Sequence, residues 1–307
     1  SLAKGEPRSG IFALGLDNGQ VLVAKHEYNL SYPDGKRQVL PMVTYPLGQE
    51  PLQLDAQQRP IQALAVQEGS TGTAIAVLTD DGRLSFNLFE TETNLMTGES
   101  TFNRSEFALK DGPKTATHML IDTTLHSLFI AEGNEKVHYF DIRSPGDARY
   151  VEAVNAVAAG QQVRQMEFLV GAVSLVIGGS DGSLSQWFLV RDEHNNFHLK
   201  HIRDFDKHPA AITQIEPEYS RKGFMAIDEQ GHVGIHYGTS ARTLLLEPMP
   251  GDIKPQRLAI SPINTALLAF TQDGQVHRYT LENAHPDVSW KAMWHEVWYE
   301  GREHPDY

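Results

Sequence analysis

Leu175-Val176-Ile177-Gly178-Gly179-Ser180-Asp181-Gly182-Ser183-Leu184-Ser185-Gln186-Trp187-Phe188-Leu189-Val190 decides how the rest of the chain is read. An apolar run meets Ser180-Asp181-Gly182-Ser183 and reverses into a second apolar run. A tight β-hairpin reads this way when Asp-Gly supplies the positive φ its turn requires. A single hairpin cannot bury both of its faces and is marginal in water, so its stability depends on neighbours of the same kind.

Five relatives of the stretch follow the same order of apolar run, turn and apolar run. They are Ile11 to Val23 around Asp17-Asn18-Gly19, Ala74 to Leu88 around Asp80-Asp81-Gly82, and Leu128 to Phe140 around a degenerate Asn134-Glu135. The others are Phe224 to Tyr237 around Glu229-Gln230-Gly231 and Ala266 to Tyr279 around Gln272-Asp273-Gly274. Taken at positions 19, 82, 135, 182, 231 and 274, successive copies lie 63, 53, 47, 49 and 43 residues apart. An all-β repeat of about 40 to 50 residues is the signature of a β-propeller with four strands per blade.

The two further strands of each blade are readable beside the hairpins. Inner strands are expected at Ile61 to Val66, His118 to Ile121, Val163 to Phe168, Ile212 to Ile215 and Arg257 to Ile260. Outer strands are expected at Arg149 to Val154, Phe197 to Ile202 and Thr243 to Leu246. The reading is an all-β propeller with six recognisable blades over residues 1–286, followed at 287–307 by a C-terminal aromatic helix or linker. Two points stay open. The first copy has no evident inner strand, which the C-terminal end of the chain could supply. The 63-residue interval also leaves room for a seventh, irregular blade.

The long interval holds Tyr28-Asn29-Leu30-Ser31-Tyr32-Pro33-Asp34-Gly35 and continues through Pro41, Tyr45, Pro46, Pro51 and Pro60. An elongated hairpin with a long connection is the plainer reading. A partner-binding insertion carrying Tyr28, Tyr32 and Tyr45 is the functional one. At the other end Trp290, Trp294 and Trp298 stand four apart, with Met293, Val297 and Tyr299 beside them. Asp287 or Ser289 could cap a short amphipathic helix there. Such a helix either packs on the propeller or places Trp290, Trp294, Trp298 and Tyr299 at a membrane interface, where Trp and Tyr sit with one end wet.

Composition narrows the function classes. The 307 residues are 40% hydrophobic, ample for a large core, and 39 Asp and Glu against 26 Lys and Arg give a formal charge of −13. That balance opposes generic binding to nucleic acid or to an anionic membrane surface, and no basic patch interleaved with aromatics points to nucleic acid. With no cysteine there is no disulfide, thiolate metal site or thiol nucleophile. No apolar run reaches membrane-spanning length. Because the chain starts at Ser1 without Met and stops at Tyr307 in mid-phrase, the expectation is a domain cut from a longer protein.

A search for chemistry finds little. His194, His198 and His201, and separately His232 and His236, have spacings that metal ligands use, but neither set carries the carboxylates of a recognisable site. Ordinary structural histidines are the stronger reading. There is no Gly-x-Ser-x-Gly elbow, phosphate-cradling Gly-Lys-Ser loop or His-Glu-x-x-His. The glycines around Asp181 open no helix that could present amides to a phosphate. No catalytic residue, cofactor or metal site is therefore assigned.

The repeats resemble WD-repeat propellers, although the Trp-Asp dipeptide is absent and Phe140-Asp141 is its nearest echo. Two end segments are more specific: Leu2-Ala3-Lys4-Gly5-Glu6-Pro7-Arg8-Ser9-Gly10-Ile11-Phe12-Ala13 and Trp294-His295-Glu296-Val297-Trp298-Tyr299-Glu300-Gly301. With the propeller between them, they resemble the large extracytoplasmic insertion of long-form phosphate ABC importer permeases from Gram-negative bacteria. The resemblance spans essentially the whole chain and carries no catalytic motif. It implies a periplasmic domain of an inner-membrane protein, with a membrane helix before Ser1 and transport helices after Tyr307. It also implies membrane and ATP-binding subunits reached through the parent chain, a phosphate-binding protein as a further partner, and an aromatic C-terminus approaching the bilayer.

The expected role is a non-enzymatic docking or regulatory module. The alternatives are a free-standing propeller scaffold and a propeller enzyme of lactonase or quinoprotein type, which would need metal-binding acids or a cofactor stack.

Overall fold

The computed structural model describes residues 2–4, 9–93, 96, 100–169, 171, 174–218, 223–260, 266–281 and 294–297. Its strands form six separate antiparallel sheets, each of consecutive strands, the arrangement of a six-bladed β-propeller. Regular helix among the described residues is confined to three single turns of 3-10 type, at Pro33–Gly35, Pro145–Asp147 and Pro250–Asp252. No helix among them is long and apolar enough to cross a membrane.

The chain divides into two compact units. Residues 1–132 with 137–153 hold the first three blades, and residues 133–136 with 154–307 hold the last three. The first blade runs β1 (Leu2–Lys4), β2 (Ser9–Gly15), β3 (Gln20–Ser31) and β4 (Gln38–Thr44), and the two-residue β5 (Leu52–Gln53) also pairs with β3. The second is β6 (Ile61–Gly69), β7 (Gly72–Thr79), β8 (Leu84–Thr93) and β9 (Ser100–Leu109). The third is β10 (His118–Ile121), β11 (Ser127–Ala131), β12 (Lys136–Asp141) and β13 (Arg149–Asn155). In the second unit the fourth blade is β14 (Val163–Phe168), β15 (Ser174–Gly179), β16 (Leu184–Arg191) and β17 (Phe197–Asp204). The fifth is β18 (Ile212–Pro217), β19 (Gly223–Asp228), β20 (His232–Tyr237) and β21 (Thr243–Pro248). The sixth is β22 (Pro255–Ile260), β23 (Ala266–Thr271), β24 (Val276–Leu281) and β25 (Trp294–Val297).

The apolar runs of the repeat become strands buried on both faces. Along β7, Ala74, Ala76 and Leu78 pack toward the third blade beside Leu128, Ile130 and Phe140, while Ile75 and Val77 pack toward the first beside Ile11, Ala13 and Val21. Within the second unit β19 divides in the same way. Phe224 and Ala226 meet Val176 and Leu184 of the fourth blade, and Met225 and Ile227 meet Leu258 and Leu267 of the sixth. Two-sided burial explains why these strands read as continuous apolar stretches, since neither pleat surface faces water.

The turn that opened the sequence reading forms as expected. Ile177 pairs with Ser185 and Gly178 with Leu184, and Gly182 takes φ +84°. Asp181 Oδ1 accepts from the Ser183 hydroxyl at 2.7 Å and from its amide at 3.2 Å. The equivalent Gly19, Gly82, Gly231 and Gly274 all have φ between +76° and +86°, and Gly133, with φ +87°, serves the degenerate third turn.

Three expectations are resolved differently. The innermost strand of the first blade is β1, three residues from the N-terminus itself, and Ala3 pairs with Ile11. The 63-residue interval holds no seventh blade; the twelve-residue β3 and its partner β4 lengthen the first blade instead. The amphipathic helix expected around the tryptophans is a strand where it is described. Trp294–Val297 pairs antiparallel with β24 and supplies the fourth strand of the last blade. Without it the outward edge of β24 would leave its amides and carbonyls unpaired. Trp290, Trp298 and Tyr299 lie outside the described residues.

Candidate functional site

The first blade departs from the repeat in one place. Beyond Lys25, β3 continues to Ser31, turns through Pro33–Gly35 and returns as β4, with an unbroken register from Ser31↔Gln38 to Lys25↔Thr44. The reversal is local. Asp34 and Gly35 take positive φ, Gly35 donates to the Tyr32 carbonyl at 3.2 Å, and Lys36 donates to that of Pro33 at 3.0 Å. At the base, Lys25 Nζ lies 2.9 Å from Glu68 of β6 and 3.5 Å from Glu27, and the Thr44 hydroxyl donates to Glu27 at 3.3 Å. The chain then returns to the core at Leu47 and Leu54, both buried.

Directly opposed residues share a face, so the register divides the arm. Leu30 with Val39, Tyr28 with Pro41 and His26 with Val43 lie on one side. Asn29 with Leu40, Glu27 with Met42 and Ser31 with Gln38 lie on the other. Both sides of β4 face solvent, with Val39 46% and Val43 55% exposed on the first and Leu40 49% and Met42 40% exposed on the second. Four large apolar side chains on one strand, none of them buried, is the pattern of an interaction surface.

Among the described residues β4 pairs only with β3, so its outer edge is open. Pro41 sits in the middle of that edge. It has no N–H to give the ladder, and since the register passes through it without a bulge, its nitrogen belongs to the outward-facing set. The outer row therefore lacks its central donor, which opposes addition of a further strand. What this edge presents outward is therefore its side chains more than its backbone.

The expected tyrosines are all on this arm but do not converge. Tyr32 stands at the tip, 63% exposed, and Tyr45 just past the base, 39% exposed. The seven-residue ladder between them is roughly 20 Å long. Tyr28 is half-buried midway along β3. Val39, Leu40, Met42 and Val43 were not singled out in the sequence. Pro41 inside an apolar run was the available signal, because proline demotes a strand to an edge. The membrane-interface set is seen only as backbone, in the part of β25 that contains Trp294.

The histidines form no ligand set. His198 Nε2 lies 3.2 Å from Asp192 Oδ2 and His201 Nε2 lies 2.8 Å from Asp204 Oδ1, while His194 is exposed beside Glu193. Odd spacing along β17 turns His198 and His201 to opposite faces. His232 Nδ1 donates to the Asp228 carboxylate, 3.0 Å away, whereas His236 turns inward to Thr243 Oγ1 at 2.9 Å and to His208 Nε2 at 3.4 Å. Among the described residues no three His, Asp or Glu side chains converge to hold a metal.

His208 is the buried member that sequence reading passed over. It sits in the loop after β17, and its Nδ1 is 3.6 Å from the buried Asp228 carboxylate. Burial lowers the His208 pKa to about 4 against the attraction of Asp228. Burial, with His208 adding repulsion, lowers that of His236 to about 3. Both imidazoles are thus neutral at pH 7; His208 lies against the His236 ring, which Phe205 and Phe224 enclose. They serve packing and turn closure and offer no surface for a substrate.

A cluster of arginines in the first unit tests for an anion nest. Arg59 grips buried Asp55 with Nε 3.0 Å from Oδ2 and also pairs with Asp81. Arg83 reaches Asp55 at 3.3 Å and Glu106 at 2.9 Å. Arg104 reaches Glu106 at 3.0 Å and donates to the carbonyls of Gln53 and Leu54. Three guanidinium groups face three carboxylates, so the cluster neutralises itself. The Arg59 hydrogen bonds, working against burial, hold the Asp55 carboxyl down at about 2. It is a clamp between the first and second blades.

Comparison with known proteins supports the architecture alone. No family profile matches the chain, and no curated protein matches it in sequence. Solved structures match widely, 1237 chains in all. One, from the crystal structure of a mitotic checkpoint complex, is 11% identical, with a TM-score of 0.52 over 90% of this chain and 74% of that one. At that identity the likeness shows a shared fold.

Proposed function

We propose that this chain is a propeller docking module, without catalysis of its own, in the periplasmic part of a phosphate importer permease. The observation that carries the docking role is the β3–β4 arm, whose return strand exposes apolar side chains on both faces while Ile11, Ala13, Val21 and Val23 of the same blade are buried. The transporter setting is supported by the terminal segments Leu2 to Ala13 and Trp294 to Gly301 and their resemblance to long-form permeases. In that setting the membrane and ATP-binding subunits are reached through the parent chain, and the periplasmic phosphate-binding protein is a further partner.

The absence of catalysis is supported by how the titratable groups are used. Buried histidines and carboxylates close turns and join blades, and Arg59, Arg83 and Arg104 are occupied by acids.

The reading is tested in cells carrying the full-length parent protein. Val39→Asp with Val43→Asp should impair phosphate uptake while leaving the protein's abundance in the membrane unchanged. Uptake at the unaltered level, with normal abundance, would remove the arm from the function. Absence of any phosphate-transport defect on deleting the parent gene would remove the transporter setting.

A further inference from the structure

We propose that the β3–β4 arm docks by entering the headgroup layer of an anionic bilayer. This rests on the reading of the arm as the docking element and names what receives it.

The first reason is that the apolar surface is two-sided. Val39 and Val43 project from one face of the ribbon and Leu40 and Met42 from the other, each at least 40% exposed. A protein surface laid against a two-stranded ribbon covers one face and leaves the other wet. An interfacial layer surrounds both. Strand addition, the usual way a protein partner uses such an edge, meets the missing donor at Pro41.

The second reason is charge. Residues 25–45 carry Lys25, Lys36 and Arg37 against Glu27 and Asp34, one net positive charge on a chain whose total is −13. Lys36 and Arg37 are both exposed at the tip beside Tyr32. An anionic surface would attract the tip and repel the body, so electrostatics alone would point the arm at it. Tyrosine and basic side chains flanking apolar ones are the composition of an interfacial anchor.

The backbone limits the depth. Among the described residues the outer edge of β4 pairs with no strand, and hydrocarbon cannot satisfy its amides and carbonyls, so the arm cannot cross the bilayer core. Its roughly 20 Å ladder exceeds the 5–10 Å or so of an interfacial insertion, so the tip and the first few pairs enter while the base stays in water.

The test is flotation of the 307-residue chain with vesicles of equimolar phosphatidylglycerol and phosphatidylcholine, or of phosphatidylcholine alone. The chain should float with the anionic vesicles and be released by high salt. Lys36→Glu with Arg37→Glu should weaken binding about tenfold or more, and Val39→Asp with Val43→Asp should abolish it. Val276→Asp, at a half-exposed position on β24, should leave it intact. The chain has no cysteine, so single labels are clean. An environment-sensitive dye at Val39→Cys and one at Leu40→Cys, on opposite faces, should both shift to the blue on anionic vesicles.

Failure to float, or flotation unchanged by the arm variants, overturns the proposal. So does a blue shift from one face only, or a sedimentation shift showing self-association that the arm variants abolish without flotation. If uptake is impaired by Val39→Asp with Val43→Asp while flotation is absent, the docking role stands and the bilayer falls.

Discussion

Replacing Gly182 by alanine separates two sources of instability at one turn. The first is conformational. Gly182 has φ +84°, and an L-residue held in the left-handed region costs about 1–2 kcal/mol. The second is contact. A Cβ built on Gly182 overlaps the carbonyl oxygen of His208 and lies 2.8 Å from that of Ala210. The two loops cannot simply part, because the His208 amide donates to the Gly182 carbonyl at 2.9 Å and Lys207 Nζ holds Asp181 at 2.7 Å. Relief would move His208, which is buried against His236 and Asp228. Losing that amide bond in a closed site adds about 1–3 kcal/mol and the overpacking a similar amount. The expected total is about 3–8 kcal/mol.

Gly274 is the control. It occupies the same place in the Asp-Gly turn of the sixth blade with φ +81°, and nothing lies within 4 Å of its would-be Cβ. Gly274→Ala should therefore carry only the conformational part, about 1 kcal/mol. Urea unfolding followed by circular dichroism and by tryptophan emission would measure both. Losses equal to within about 1 kcal/mol would refute the contact argument and with it the claim that the loop joining the fourth and fifth blades rests on the opening hairpin.

Acid should weaken the second unit well above the range where carboxylates titrate. The folded pKa values of His208 and His236, about 4 and about 3, lie below the ordinary 6.5 because both are buried, so the unfolded chain takes up protons first as pH falls. Stability is full above pH 6.5 and declines from there toward pH 4 and 3, by on the order of 3 kcal/mol for His208 alone. Denaturant midpoints from pH 7.5 down to 4 read this, and a flat profile would contradict it. Asp55→Asn should remove about 2 kcal/mol at pH 7, from the depression of its carboxyl to about 2. That contribution vanishes only as pH falls below 3.8 toward 2, outside the histidine window. Val39→Asp with Val43→Asp should leave the urea midpoint within about 0.5 kcal/mol of the parent, since neither side chain is in the core; a larger loss would mean the arm is structural.

How much the residues disclosed depends on which physical signal they carry. His118–Ile121 and Val163–Phe168 were placed at their ends by sequence alone, since apolar alternation and the Asp-Gly turns act over a few residues. The tryptophans misled for an equally local reason. A spacing of four keeps side chains on one face of a helix, but four is also even, so it keeps them on one face of a strand. Which holds at Trp294–Val297 is decided by the open edge of β24, a distant partner that periodicity cannot see. Leu2–Lys4 escaped notice because three residues with a lysine make no apolar run. The β3–β4 arm was half legible. Its length and tyrosines stood out, but Gln38–Thr44 reads as a core strand, and exposure depends on what does not pack against it. The His208 to Asp228 contact joins residues 20 apart, for which no local pattern exists.

Each sheet is built from strands adjacent in sequence, with β1 opening the first and β25 completing the last. Among the described residues the four-strand ladder of every blade therefore closes short stretches of chain, and only the two-residue β5 reaches back past a neighbour, to β3. Short closures lose little entropy and form early. A polypeptide emerging gradually from a ribosome or a translocation pore can assemble each unit in order, every new blade within it growing on the flank of the one before. Its most vulnerable moment is the interval when a strand meant to be covered on both sides has so far met only one neighbour.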